Sequence, residues 1–327
     1  MRERITLACG AYDRTAALAD GRIQVEGVDL NYLPLSAEEI FFRMAKNAEF
    51  DAAEMSLSSY TLSVLRGRPF VAVPVFPSRT FRHHGVYVRD GSDYAEPADL
   101  RGRTIGIPEY QMTAAVWIRG ILEEHHGLPV DSVKYRTGGL LEPGRTEKLR
   151  IDVEGVDIAP IPAGATLSAL LENGELDAVY TARTPRGFGE KNSKIRRLWS
   201  DPREVEADYF GTTGVFPIMH TVVMRSDVYE RNRWIARSLL DAFTEAKEIA
   251  SEALTEVVAL ANLLPWGYQQ GEQVRELMGS DPWPYGIESN RTCLTTFLRY
   301  MHAQKLTNRL LSPEEIFAPE THDAFVV

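Results

Sequence analysis

The chain has 327 residues, 44% of them hydrophobic and 25% charged, a globular composition too long for one small core and suited to two compact parts of roughly 100–200 residues. Its net charge of −10 argues against general nucleic-acid binding, which favours a basic surface, and puts most acidic side chains on a solvated exterior. No run of apolar residues is long enough for a membrane span.

The opening MRERITLACGAYDRTAALADG turns polar too early for a signal peptide, so a cytoplasmic location is expected. Cys9 and Cys293 stand apart with no CxxC or metal-ligand spacing, which predicts buried or free thiols. Strand-like and helix-like patterns alternate, which predicts an α/β architecture. Ile5–Ala8 reads as a first strand, followed by a polar loop through Tyr12, Asp13 and Arg14. Val28–Leu33 alternates as a second strand, Ala37–Lys46 is an amphipathic helix, and Phe50–Met55 is a short third strand. Ser56, Ser58 and Ser59 open another helix with hydroxyls near its cap, and Gly67 ends it.

His84–Asp90 and His220–Asp227 resemble each other, each a His-led alternating strand that runs into Arg and then Asp. They read as the two places where the chain leaves one lobe and returns to it. Between them come a strand at Thr104–Ile107, a helix over Ala114–Glu124, a strand near Val133–Arg136, a helix at Thr166–Glu172 and a buried strand at Leu176–Tyr180. Helices then dominate: Tyr229–Leu254, Val257–Leu264 and Cys293–Gln304. The stripe of Trp234, Leu239, Phe243 and Ile249 reads as a core face. Residues 265–292, rich in Trp, Pro, Tyr and Gly, read as an ordered surface loop or lid. The expected division is 1–90 plus 222–327 for one lobe and 91–221 for the other.

Candidate chemistry gathers near the expected crossings. His83, His84 and His220 suit proton transfer because imidazole titrates near pH 6.5. Glu54 and Glu109, on strand-end turns, become acids if burial against the cleft raises their pKa, the alternative being that each pairs with a neighbouring Arg. Arg79, Arg82 and Arg183 present paired donors that match a carboxylate, with surface or inter-lobe salt bridges as the alternative. Arg183 also follows a buried strand, at the end of an α/β sheet where ligands bind. Thr113 opens a helix whose free N–H groups receive anions, with a plain N-cap as the alternative. Ser58, Ser59 and Tyr12 are candidate partners for substrate hydroxyls. His125 and His126 follow two glutamates at a helix end and read as a solvated last turn. The lack of a GxSxG elbow argues against a serine hydrolase. Without HExxH spacing or a Cys pair no metal is expected, the alternative being a divalent ion held by His84, His220 and a carboxylate. A non-catalytic binding module for a small carboxylate stays open on these residues alone.

The layout resembles the type II periplasmic binding protein fold, with two α/β lobes around a cleft and two hinge crossings. Within that fold, FDAAEMSLSSY (50–60), VPVFPSRTFRHHGVYVR (73–89), DLRGRTIGIPEYQMTAAVWIRGIL (99–122), GELDAVYTARTP (174–185) and DYFGTTGVFPIMHTVVMR (208–225) resemble the 4,5-dihydroxyphthalate decarboxylase family. The resemblance implies removal of one carboxyl group from 4,5-dihydroxyphthalate to give protocatechuate and CO2, by ring-carbon protonation in the inter-lobe cleft. A related hydroxylated aromatic acid is the alternative substrate. Each carboxylate of such a substrate lies para to a hydroxyl, so the ring is its own electron sink and no cofactor is implied. The chemistry needs a base near a phenol, an acid near the ring carbon, and cations or N–H groups for the carboxylates. The implied partner is a small aromatic carboxylate, with no nucleic acid or membrane, and a homo-oligomer is possible.

Overall fold

The computed structural model describes residues 2–145 and 153–322. In chain order its strands are β1 (Glu3–Cys9), β2 (Val28–Pro34), β3 (Ala52–Ser56), β4 (Phe70–Val73), β5 (Val86–Arg89), β6 (Thr104–Ile107), β7 (Lys134–Thr137), β8 (Ile158–Pro160), β9 (Ala178–Tyr180), β10 (Ile195–Arg197) and β11 (His220–Arg225). Its helices are α1 (Asp13–Ala19), α2 (Ala37–Asn47), α3 (Leu57–Val64), α4 (Thr113–His126), α5 (Leu167–Glu172), α6 (Pro202–Thr213), α7 (Ser226–Arg231), α8 (Trp234–Ala253), α9 (Gly267–Met278), α10 (Arg291–Ala303) and α11 (Pro313–Ile316). The chain forms two compact units. Unit 1 comprises Met1–Arg79, Gly214–Thr295 and Leu311–Val327, and unit 2 comprises Thr80–Thr213 and Thr296–Leu310.

Unit 1 is built on a five-stranded sheet in the order β2-β1-β3-β11-β4. β1 runs parallel to β2 and β3, whereas β11 is antiparallel to both its neighbours. The central strand, β3, is buried at every position (AAEMS). A polar side chain there must find its partners inside the protein, and Glu54 is that side chain. The amphipathic α8 buries Ile235, Leu239, Phe243 and Ala246 and lies against α1 and β4.

Unit 2 carries a six-stranded sheet in the order β10-β5-β9-β6-β7-β8. β6, β7, β8 and β9 form its parallel portion, and β5 runs antiparallel to β9 and β10. One face packs Tyr87, Leu167, Leu171, Leu176, Val179 and Ile195 into a single cluster. α4 is buried on all sides from Thr113 to Leu122, as expected of a helix with no strongly polar stripe there. Its internal charge, Arg119, donates from Nε to Gln304 at 2.9 Å and from one terminal nitrogen to the Tyr110 carbonyl at 2.7 Å, over the Tyr110 ring. The helix ends at Gly127, whose φ of 64° suits the left-handed cap that glycine adopts without a Cβ penalty.

Several expectations need correction. The units change over at Arg79/Thr80 and Thr213/Gly214 instead of 90/91 and 221/222, and Thr296–Leu310 belongs to unit 2. The loop expected at Tyr12–Arg14 is the start of α1, for which Tyr12 is the cap residue. The single helix expected over Tyr229–Leu254 is broken at Asn232, where φ leaves the helical range, giving α7 and α8. Val257–Leu264 is a run of bends and irregular chain, and the helix forms after it as α9, inside the stretch expected to be loop. Trp234 is exposed and covers Gly27 instead of joining the core.

Gly120 is the tightest contact of α4. A Cβ placed there would stand 2.2 Å from the Tyr300 ring, a flat side chain whose hydroxyl is tied to Glu124. Gly120→Ala is expected to destabilise the protein by about 1–3 kcal/mol through overpacking, read as a lowered midpoint in thermal unfolding. An unchanged midpoint would mean that Tyr300 swings away freely.

Candidate active site

The most concentrated chemistry of unit 1 surrounds Glu54. Its side chain is fully buried, and four donors converge on it. Oε1 accepts from the Tyr12 hydroxyl at 2.9 Å and lies 2.5 Å from Nδ1 of His220. Oε2 accepts from the Gly10 backbone N–H at 2.9 Å and from the Cys9 thiol at 3.5 Å. Burial alone would raise the pKa of this carboxyl, but the bonds and charge of His220, with the Gly10 N–H and Tyr12 O–H, outweigh it and hold the pKa below its ordinary value. The expectation that burial makes Glu54 a proton donor is therefore reversed: Glu54 is an anchored carboxylate.

Strand register explains how residues so far apart in sequence meet. Val222 of β11 stands opposite Glu54 and His220 opposite Ser56, so His220 and Glu54 are diagonal neighbours on one face of the sheet. A carboxylate only accepts, so the proton it shares with His220 belongs to Nδ1, and Nε2 takes no part in that bond. The Phe41 ring abuts His220 edge-on, with centroids 4.8 Å apart. The phenol pKa of Tyr12 is pushed up by burial and by the Glu54 charge, which keeps its hydroxyl a donor.

No motif in the sequence marks Arg14 as part of the site. Its guanidinium lies between two aromatic faces, 4.1 Å from the Tyr12 centroid and 4.5 Å from that of Trp283. Nε donates to the Pro77 carbonyl at 2.6 Å, and a terminal nitrogen meets Asp13 at 3.0 Å. With both faces covered, a further anionic partner can approach only in the guanidinium plane, the approach that suits a carboxylate. The signal available in the sequence was Tyr12-Asp13-Arg14 at a helix start, hidden by reading those residues as loop.

Arg79 differs. It is buried, and its terminal nitrogens donate to the carbonyls of Phe216 at 3.1 Å and Pro284 at 2.7 Å and to the Asn290 side chain. Burial lowers its pKa to about 10. It pins chain segments together within unit 1, so the expected role as a carboxylate clamp does not fit it. Ser58 is buried in the first turn of α3, with its Oγ 3.4 Å from that of Ser56, and Ser59 is partly buried beside it.

Unit 2 holds the remaining candidates. Nδ1 of His84 lies 2.8 Å from Glu206, which also accepts from the His84 backbone N–H. His83 is buried among Trp199, Tyr209 and His126, with ring centroids 5.1–5.9 Å away. Burial lowers its pKa to about 4, so it stays neutral near pH 7 and is packed as an aromatic rather than exposed for proton transfer. His126 is half-buried against Trp199, not solvated as expected, and His125 is exposed beside Tyr209. Arg82 is buried, its pKa lowered to about 10 by desolvation and partly restored by Glu206. Glu109 is ion-paired with Arg145 at 2.6 Å and accepts from Gln111 at 3.0 Å. Thr113 is the first helical residue of α4; Met112 occupies the cap. Arg183 is exposed on the bend after β9, its backbone N–H donating to Thr181. Both cysteines are free and buried. Among the described residues no group of three or more His, Cys, Asp or Glu side chains is arranged to hold a metal ion, and no helix is long and apolar enough to cross a membrane.

The Glu54 network carries a pH signature. Unfolding returns the carboxyl to its ordinary pKa near 4.5, so between the two values the unfolded chain binds a proton that the folded chain does not. Its stabilisation is complete above about pH 4.5 and is lost as pH falls through the lower folded value. Glu54→Gln is expected to lose about 3 kcal/mol at neutral pH, with the gap from wild type narrowing on acidification below about pH 4.5. Denaturant titrations across that range read both; a gap independent of pH would remove the linkage.

No protein-family model matches the chain. The chain is 40% identical over 326 residues to the 4,5-dihydroxyphthalate decarboxylase of Comamonas testosteroni, covering 99% of each protein. It is 43% identical over 208 residues to the 4,5-dihydroxyphthalate decarboxylase of Pseudomonas putida, covering 63% of this chain and 81% of that one. In architecture it is similar to the periplasmic aliphatic sulphonate binding protein SsuA from Escherichia coli, with a TM-score of 0.55 over 98% of this chain and 99% of that one. At 12% identity that likeness gives the fold, a periplasmic binding protein-like one, and leaves function to the residues. Whole-length identity at the first of these levels settles the relationship: the chain belongs to the 4,5-dihydroxyphthalate decarboxylase family.

Proposed function

We propose that the chain is a carboxy-lyase that converts 4,5-dihydroxyphthalate to protocatechuate and CO2, with His220 as its proton donor. The observation that carries the assignment of His220 is its 2.5 Å contact with the buried Glu54 carboxylate, which orients the ring and directs Nε2 away from the protein partner. Loss of a phenolic proton sends an electron pair to the para ring carbon, the one bearing the departing carboxylate. The proton on His220 Nε2 passes to that carbon. The bond to the carboxylate then breaks, its electron pair restores the aromatic ring, and CO2 leaves. The phenol recovers its proton, so the reaction consumes one proton overall. The ring stores the electrons throughout, and no cofactor enters the proposal. Arg14, gripped between Tyr12 and Trp283, is assigned to the carboxylate that stays.

Chelator-treated protein incubated with 4,5-dihydroxyphthalate is expected to release CO2 and protocatechuate, followed by chromatography. No product with or without added divalent metal would end the proposal for this substrate; product only with metal would end its cofactor-free form. His220→Gln is expected to lower kcat by about a hundredfold to ten-thousandfold, the contribution of general acid catalysis. Its affinity for phthalate, an unreactive dianion, should stay near that of wild type by calorimetry. Wild-type turnover in this variant would remove His220 from the reaction. Arg14→Met should instead raise KM by about tenfold to a hundredfold, as for a lost charged hydrogen bond, with a smaller effect on kcat. An unchanged KM would free Arg14 of that role.

A further inference from the structure

Lys247 is a charge on the buried face of α8, which it shares with Phe243 and Ala246. It is 4% exposed, and lysine is rarely enclosed to that degree unless paired. Its Nζ donates to Asp281 Oδ2 at 2.6 Å and stands 5.7 Å from the centroid of the Tyr285 ring. The other Asp281 oxygen accepts from the backbone N–H of Trp283 at 3.1 Å. The Trp283 indole donates from Nε1 to the Phe76 carbonyl at 2.8 Å and meets the Phe216 ring edge-on, with centroids 5.4 Å apart. The same indole covers one face of the Arg14 guanidinium. Beyond it, the Pro284 carbonyl accepts from Arg79 at 2.7 Å and from Asn290 at 3.0 Å, and the Gly286 N–H donates to the Pro74 carbonyl at 2.8 Å. Residues 281–286 are thus a strap fastened at several points, and every group named lies in unit 1.

We propose that Lys247 is a positioning residue for the decarboxylation: by holding Asp281 it sets the strap, and through the strap the indole on which Arg14 rests. The proposal builds on the assignment of Arg14 to the carboxylate that stays. Two features carry position along the strap. Trp283 stands between Pro282 and Pro284, whose fixed φ removes freedom on each side. Asp281 and Trp283 each precede a proline, which confines them to extended backbone. A shift at Asp281 therefore passes to the indole instead of being absorbed between them. Stability alone gives little reason for a lysine here, since an apolar side chain in its place would pack on α8 without the cost of desolvating a charge. What the ion pair does supply is one fixed location for a carboxylate that also binds a backbone N–H.

The test is steady-state kinetics with 4,5-dihydroxyphthalate for wild type, Lys247→Met, Arg14→Met and the double variant, alongside hydrogen–deuterium exchange over residues 279–286. Lys247→Met is expected to raise KM by about threefold to tenfold, in the range of coupling within one salt-bridge network, with kcat little changed. Exchange at 281–286 should quicken, and Lys247→Arg, which keeps the ion pair, should restore both readouts. In the Arg14→Met background the same substitution should add nothing to KM. Asp281→Ala, at an exposed side chain, should reproduce the rise in KM without altering the core face of α8. Affinity for phthalate by calorimetry, which needs no turnover, should fall in parallel, so failure of the assigned reaction is distinguishable from failure of the strap. A wild-type KM in Lys247→Met, a rise of equal size with and without Arg14, or unchanged exchange would overturn the inference and leave Arg14 in its role. An unchanged KM in Arg14→Met would remove that role and the inference with it.

Discussion

A carboxylate buried at the centre of a sheet has to be ringed by donors, and the arrangement of unit 1 around Glu54 follows from that requirement. Leaving such a charge unpaired costs more than a domain's margin of stability allows. Here the donors come from three segments: the end of β1 with its following turn, the cap of α1, and the first residue of β11. Each must be in place for the others to be tolerated. The same constraint fixes the imidazole, because a saturated carboxylate holds His220 in one orientation.

The arginines divide along a similar line. Arg79 and Arg119 are enclosed, and their terminal nitrogens meet carbonyl and amide oxygens of the protein. They act as internal ties whose charge is offset by several dipoles. Arg14 has its faces covered by rings, with Nε on the Pro77 carbonyl and one terminal nitrogen on Asp13. Guanidinium chemistry is common to all three; which planes and edges are taken decides what each residue joins.

Much of the scaffold was legible in the sequence because its signals are local. The runs at Ile5–Ala8, Val28–Leu33 and Thr104–Ile107 carry strand periodicity, and the strands appear there. Three-residue strands such as β8 and β10 are too short to show a period. The apolar run before Pro265 has helical character but remains in bends and irregular chain, while α9 draws on the helix formers that follow Gly267. The Glu54–His220 pair was visible only as two separate candidates, since 166 positions separate them and strand register alone unites them. Arg145, partner of Glu109, and Arg14 take their roles from tertiary neighbours that no local pattern announces. The SsuA likeness adds a related lesson: a scaffold shared with a binding protein hosts a decarboxylase family through a few side chains placed on it.

The thiols give the molecule a chemical tolerance suited to catechols. Catechols oxidise in air to ortho-quinones, electrophiles that are captured by thiolates. Cys9 has no solvent exposure, and burial together with the adjacent Glu54 charge raises its pKa well above the ordinary thiol value. Cys293 is likewise buried, its pKa pushed up to about 11. Protonated and out of reach, neither sulfur is a competent nucleophile, so a protein handling catechols offers their oxidised by-products no thiol to arylate.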